Sequence, residues 1–120
     1  MLSYLKRETA RVLQRCVNTC EGFAFAWREE ASFSQWVAAN AVNIVLACLV
    51  DLSGAERALI IACGLLVLVA ELLNTGIESA IDRISEELHP LSKKAKDTAC
   101  AGVALMAAIT GVVWVVVLIG

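Results

Sequence analysis

Apolar residues dominate three long windows of the chain, and these windows predict its main structural elements. Ala31 to Val50 and Thr98 to Gly120 contain no charged residue, whereas Ala58 to Ile77 contains only Glu71. Each window reaches the roughly 20 residues that an α-helix needs to cross a bilayer. The pattern therefore predicts three transmembrane helices, over about residues 31–50, 55–84 and 93–119.

A mixed pattern of apolar and charged positions precedes the first window. Between about residues 4 and 30, apolar side chains recur at helical spacing among Arg11, Arg15 and Glu21. This arrangement is typical of an amphipathic helix that lies in the membrane interface. The same charges interrupt the apolar stretch that a cleavable signal peptide requires, so we expect the segment to be retained.

Composition supports a small all-α integral membrane protein with one domain over residues 1–120. The chain is 59% hydrophobic and 18% charged, with a mean hydropathy of +0.73, which leaves too little polar surface for an ordinary soluble domain. A net charge of -2 and the lack of a basic patch with interleaved aromatics argue against a nucleic-acid partner. The odd number of cysteines, five, does not predict a disulfide framework.

The distribution of basic residues predicts the orientation. Five lysines and arginines precede the first window, one lies between the first and second windows, and four lie between the second and third. The positive-inside rule therefore places the N-terminus and the second loop in the cytoplasm.

Local signals predict where two of the helices begin. Ser53 and Glu56 have the spacing of a capping box that opens the second transmembrane helix. Pro90 breaks the chain before the third, for which Ser92 is the predicted N-cap. In the first window, Asn40 and Asn43 are three residues apart, and we interpret them as amides that hold helices together.

Polar residues at regular spacing interrupt the second apolar window. At about 100° per residue, Asn74, Glu78 and Asp82 lie roughly 300°, 340° and 20° around the helix from Glu71, so all four share one stripe. Acidic side chains on one face repel each other unless a cation, a partner or a proton intervenes. The stripe is therefore the main candidate for chemistry.

Two further groups of charges complete the candidate site. Glu30, beside Glu29, is expected at the same membrane depth as Glu78, and two carboxylates from different helices can share a divalent cation. Lysines at positions 93, 94 and 96 are unfavourable for the dipole of a helix that begins beside them, and a bound polyanion would offset them. Together these groups match the needs of a nucleotide complexed with magnesium. No Gly-rich phosphate loop is present, so a kinase here would lie outside the common soluble folds.

The spaced string E-x-x-N-T-x-I-E-x-x-x-D from Glu71 to Asp82 resembles the prokaryotic diacylglycerol kinase family, which includes undecaprenol kinases. His89-Pro90-Leu91-Ser92 and Ala95-Lys96-Asp97, which follow the string, are also similar to that family. The resemblance extends over most of the chain. It implies a homotrimer in the bacterial inner membrane that transfers the γ-phosphoryl group of ATP to a lipid hydroxyl, with Mg2+ as cofactor and active sites shared between neighbouring copies.

The resemblance also implies roles for individual residues. Glu71 is the expected general base, Asn74 is expected to orient it, and Glu30 and Glu78 are the expected magnesium ligands. The residues expected to contact nucleotide are Arg11, Asn18, Glu30, Glu78, Asp82, Glu87, His89, Lys96 and Asp97. The residues expected to contact the lipid substrate are Trp27, Gln35, Glu71 and Cys100.

Two alternatives to phosphorylation of diacylglycerol remain open at this stage. The same chemistry on undecaprenol would require the same motif. A non-catalytic ion-binding or helix-packing membrane protein would also explain an acidic stripe. Replacing Glu71 by Gln separates the two kinase functions from the non-catalytic protein, because only an enzyme would lose phosphoryl transfer.

Overall fold

A computed structural model describes residues 1–120 as four α-helices joined by short connections. The helices are α1 (Leu2–Glu29), α2 (Ala31–Leu49), α3 (Gly54–Ile84) and α4 (Pro90–Ile119). By length and composition, α2, α3 and α4 could each cross a membrane. The all-helical fold and its three helices of spanning length confirm that part of the prediction.

The chain forms two compact units, residues 1–31 and residues 32–120. In the first unit, α1 has one buried residue, Ala26, and leaves large apolar side chains such as Leu2 and Leu13 mostly exposed. The second unit contains nearly all of α2 together with α3 and α4. The organisation of both units as one membrane domain stays a prediction.

The connection between α2 and α3 is a tight hairpin with the predicted capping box. The Ser53 hydroxyl accepts a hydrogen bond from the Glu56 N–H at 3.2 Å, and the Glu56 carboxylate accepts one from the Ser53 N–H at 2.7 Å. Arg57 Nε donates to the Ala47 carbonyl at 2.8 Å and so ties the start of α3 to the end of α2. These bonds satisfy groups that a helix end leaves unpaired and fix the register of the hairpin.

Amide side chains join the helices further inside the second unit, which confirms their structural interpretation. Asn43 Nδ2 donates to the Ile60 carbonyl at 3.3 Å, and Asn40 Nδ2 donates to the Gly64 carbonyl. Trp114 Nε1 on α4 donates to Asn43 Oδ1 at 2.7 Å. All three helices of the unit therefore meet in one polar layer.

Two glycines of α3 have opposite surroundings. A Cβ at Gly64 would lie 2.5 Å from Asn43 Nδ2 and 2.6 Å from Asn40 Oδ1, so the absence of a side chain lets both amides approach the helix. At Gly76 no atom of α2 or α4 lies within 4 Å of an added Cβ. The packing of α2 and α4 against α3 therefore does not require a glycine at position 76.

The prediction that α4 begins after Ser92 is wrong. The helix begins at Pro90, and His89 is the N-cap, its Nδ1 accepting a hydrogen bond from the Leu91 N–H at 3.1 Å. Proline is well tolerated in the first helical turn because its missing N–H has no helical partner there. Because the helix starts earlier than predicted, Lys93 and Lys96 lie after its first turn. The unfavourable interaction of a lysine with the helix dipole is strongest within the first turn, so it is weaker at these two positions.

Candidate functional site

The polar stripe of α3 changes from buried to exposed along the helix. Glu71 and Asn74 are 3% and 9% exposed, Glu78 is half-buried, and Asp82 is exposed. The helix is continuous through all four residues, so the rise from Glu71 to Asp82 is about 16 Å. The stripe thus connects the interior of the helical unit with its surface.

Glu71 has a partner on α2 that the sequence analysis missed. The Ser32 hydroxyl donates a hydrogen bond to Glu71 Oε1. The hairpin provides a signal for this pair: Asn43 on α2 meets Ile60 on α3, and an equal number of residues along each antiparallel arm leads to Ser32 and Glu71. A hydrogen bond from a neutral donor orients the carboxylate without removing its negative charge.

Two polar side chains next to Glu71 on α3 have unused bonding capacity. The Asn74 Oδ1 and Thr75 Oγ atoms are buried and have no hydrogen-bond partner in the chain. Leaving such polar atoms unpaired in an apolar environment costs free energy. Thr75 is a second residue beside Glu71, after Ser32, to which the motif assigned no role. The orientation of Glu71 by Asn74 stays a prediction.

A groove of about 760 Å³ lies where the end of α3, the following turn and the start of α4 meet. Lys96 Nζ donates a hydrogen bond to Asp82 Oδ1 at 2.5 Å across the groove, and Lys93 forms an ion pair with Asp97 within α4. The residues predicted to contact nucleotide that line this groove are Asp82, Glu87, His89, Lys96 and Asp97. The structure therefore brings together five residues that the sequence places in three separate segments.

The charges of the groove are mixed, with more acids than bases. Each lysine of the groove forms an ion pair with a carboxylate. These carboxylates neutralise part of the positive charge for which the sequence predicted a bound polyanion. These pairs are exposed, and exposed pairs are weak because water screens them. A phosphate group could therefore compete for the ammonium groups at little cost.

Glu78 lies on α3 between the buried Glu71 and the groove. The chain contains no group of three or more His, Cys, Asp or Glu residues that could hold a metal ion. Mg2+ is commonly bound through one or two carboxylates together with substrate phosphates. Glu78 could provide one such carboxylate, and the roles of Glu30 and Glu78 as magnesium ligands stay a prediction.

The remaining predicted residues are distributed over α1, α2 and α4. On α1, Arg11 is paired with Glu8 at 2.6 Å, and Asn18 accepts a hydrogen bond from Gln14 at 2.9 Å. Other residues have the following positions: Trp27 is exposed on α1, Glu30 is the C-cap of α1, and Gln35 and Cys100 are exposed on α2 and α4. Their roles toward nucleotide, metal and lipid stay predictions.

Comparison with known proteins decides the family. The sequence model described as "Prokaryotic diacylglycerol kinase" matches residues 17–118, which include the stripe and the groove. The chain belongs to the prokaryotic diacylglycerol kinase family. The match confirms the resemblance found in the motif from Glu71 to Asp82.

Relatives from this family are similar over nearly the whole chain. The chain is 46% identical over 110 residues to a diacylglycerol kinase of Pseudomonas aeruginosa, covering 92% of this chain and 89% of the relative. It is 34% identical over 108 residues to one of Escherichia coli, covering 90% and 88%. A diacylglycerol kinase of Haemophilus influenzae is 35% identical over 94 residues, covering 78% and 80%. The family match therefore includes α2 and α3 completely and most of α4, together with the second half of α1.

Proposed function

We propose that the protein is an ATP-dependent diacylglycerol kinase that transfers the γ-phosphoryl group of ATP to the hydroxyl of diacylglycerol and yields phosphatidic acid. Membership of the family and the names of its relatives support this activity. The single observation that carries the proposal within the structure is the arrangement along α3. A buried carboxylate, held by Ser32, lies about 16 Å from a groove that contains two lysines.

Glu71 is the proposed general base. Its carboxylate takes the proton of the lipid hydroxyl as the hydroxyl oxygen attacks the γ-phosphorus, the bond to the β–γ bridging oxygen breaks, and ADP leaves. Phosphoryl transfer depends mainly on positioning and on neutralising charge, so the protein needs to provide only one well-placed general base for the chemical step. The hydrogen bond from Ser32 keeps the carboxylate in one orientation before the lipid arrives.

The groove at the start of α4 is the proposed nucleotide site. Asp82 positions the Lys96 side chain between α3 and α4 through a hydrogen bond. The Lys96 ammonium group can exchange this hydrogen bond for one to a phosphate. A nucleotide that binds there must extend its phosphates back along α3 to reach Glu71. Glu78 lies on that path and, with Glu30, would hold Mg2+, whose chemistry is to neutralise charge on the β- and γ-phosphate oxygens.

The assembly and location follow the family resemblance. We infer a homotrimer in the bacterial inner membrane, with the N-terminus in the cytoplasm and α1 as an amphipathic surface helix. The exposure of apolar side chains on α1 supports contact with a membrane surface.

The test is incorporation of γ-phosphate from labelled ATP into lipid alcohols by the purified protein in detergent. We expect phosphatidic acid from diacylglycerol, no product without Mg2+, and little product from a lipid that lacks a free hydroxyl. Preferential phosphorylation of undecaprenol would replace the proposed substrate with the alternative one. A protein that is trimeric and binds ATP but phosphorylates neither lipid would contradict the kinase function.

A further inference from the structure

The side chain of His89 caps the start of α4. Its Nδ1 atom accepts a hydrogen bond from the Leu91 N–H at 3.1 Å, and its backbone carbonyl accepts one from the Lys93 N–H at 3.0 Å. Most side-chain caps use an oxygen of Ser, Thr, Asp or Asn, and none of these side chains changes its charge between about pH 5 and about pH 8. An imidazole ring does gain a proton within this range, so the chemistry of this cap is different.

The cap requires the neutral form of the His89 ring. An imidazole nitrogen accepts a hydrogen bond only when it carries no proton, so the proton of the capping ring lies on Nε2. A charged ring carries a proton on both nitrogens, and Nδ1 can then only donate. Protonation therefore removes the acceptor of the Leu91 N–H and places two donors against each other.

The charges around His89 draw a protonated ring away from α4. The charged residues that line the same groove are Asp82 on α3, Glu86 and Glu87 in the turn, and Lys93, Lys96 and Asp97 on α4. Asp82 and Asp97 pair with the two lysines, and no carboxylate forms an ion pair with His89. Glu86 and Glu87 remain to attract a charged ring toward the turn, whereas a positive charge at the start of α4 opposes the helix dipole.

We propose that His89 is a pH-sensitive cap, which holds the first turn of α4 in place when the ring is neutral and releases that turn when the ring is protonated. Pro90 and Ser92 in this turn line the groove, and Lys93 follows directly. Release of the turn moves these residues relative to α3 and weakens the binding of nucleotide at low pH. This consequence rests on the proposed function of the groove, whereas the release of the turn does not.

Nuclear magnetic resonance of the isotope-labelled full-length protein in detergent micelles tests the release. The pH is lowered from about 8 to about 5.5 while the His89 ring and the amides of Leu91 and Lys93 are followed. We expect the Leu91 amide shift to change with the same midpoint as the ring. The protection of the Lys93 amide against hydrogen exchange, corrected for intrinsic exchange, should fall about fivefold. The Glu56 amide is the internal reference, because the Ser53 hydroxyl that caps it does not titrate in this range.

Two substitutions of His89 provide matched variants. His89→Asn keeps a capping acceptor that does not titrate, so we expect the Leu91 shift and the Lys93 protection to stay constant across the pH range. His89→Ala has no side-chain cap, so the Lys93 protection should be low at every pH.

Binding of ATP in the absence of lipid measures the consequence for the groove. Because His89 is itself a predicted nucleotide contact, the changes with pH are compared rather than the absolute affinities. We expect the Kd for ATP to rise on acidification up to about fivefold more in the parent protein than in His89→Asn. The comparison removes the titration of ATP and of every other group on the protein.

Three results would overturn the proposal. A Leu91 amide shift that does not follow the titration of His89 would show that the ring does not cap α4. Parental pH dependence of Lys93 protection in His89→Asn would assign the change to another group. An equal rise of the Kd in both proteins would show that the cap does not regulate the groove. A protein that shows the amide changes but binds no ATP at any pH would confirm the pH-sensitive cap and contradict the proposed nucleotide site.

Discussion

The Ser32 hydroxyl on α2 donates a hydrogen bond to the Glu71 carboxylate on α3, across the open end of the α2–α3 hairpin. The pair links the fold to the proposed chemistry, because the register of the hairpin decides which residue faces the base. Ser32 is a positioning residue in this account, since it acts through Glu71.

Removing this donor tests the positioning role. We expect Ser32→Ala to lower kcat by about tenfold, equivalent to ~1.4 kcal/mol, because an unheld carboxylate spends less time aligned with the lipid hydroxyl. The KM for ATP should change little, since Ser32 does not line the groove. Steady-state kinetics with diacylglycerol measure both constants. Ser79→Ala, at an exposed position of α3, is the control, and an equal effect of both substitutions would contradict the role of Ser32.

Lys96 tests the nucleotide groove. We expect Lys96→Met to raise the KM for ATP by about tenfold, because a charge-assisted hydrogen bond to phosphate contributes roughly 1.5–3 kcal/mol. Lys94→Met is the matched control, since Lys94 is on the same helix but does not line the groove. If Lys96 only joined α3 to α4 through Asp82, its loss would change stability by about 1 kcal/mol or less and leave the KM unaltered.

The contrasting glycines of α3 give a prediction about stability. Gly64→Ala should destabilise the protein by about 1–3 kcal/mol, because the added Cβ would overlap the amides of Asn40 and Asn43. Gly76→Ala should instead be neutral or stabilising by up to about 1 kcal/mol, since alanine favours helix and no atom of α2 or α4 is close. Unfolding by denaturant in detergent compares the two variants. Equal effects would show that the amides do not pack against Gly64.

The capping box gives a prediction that leaves the site unchanged. Ser53→Ala removes one side-chain acceptor at the start of α3 and should lower the free energy of unfolding by about 1 kcal/mol. The kcat should not change, because Ser53 is at the opposite end of α3 from Glu78. A loss of activity at temperatures where the variant is folded would show that hairpin geometry is transmitted to the site.

Features with strong local signals could be predicted from the sequence. Long apolar windows predicted the three helices of spanning length, and the spacing of Ser53 and Glu56 predicted the capping box. The start of α4 was missed because Pro90 has two local effects: it breaks a helix interior, yet it suits the first turn when His89 provides the cap. Side-chain capping by a histidine ring has no strong sequence signature.

In the candidate site, too, some features could be predicted from the sequence and others could not. Helical periodicity predicted the stripe through Glu71 and Asp82, since residues on one helix have a fixed angular relation. The pairing of Glu71 with Ser32 depends on the register between two helices, and a serine in an apolar window does not reveal that register by itself. The contact between Asp82 and Lys96 similarly depends on how α4 folds back on α3. Tertiary contacts therefore account for what the sequence analysis missed.

Transfer of γ-phosphate from ATP to diacylglycerol by the Glu71→Gln protein is the most direct test of the central claim. Gln keeps the size of the side chain but cannot act as a base, and general base catalysis contributes roughly 10²–10⁴-fold to a rate. Glu21→Gln, an exposed change on α1, is the control for the loss of one negative charge. We predict that Glu71→Gln lowers kcat by at least about 100-fold, with oligomeric state and helix content unchanged, whereas the control retains activity. A Glu71→Gln protein that phosphorylates diacylglycerol at the parental rate would contradict the account.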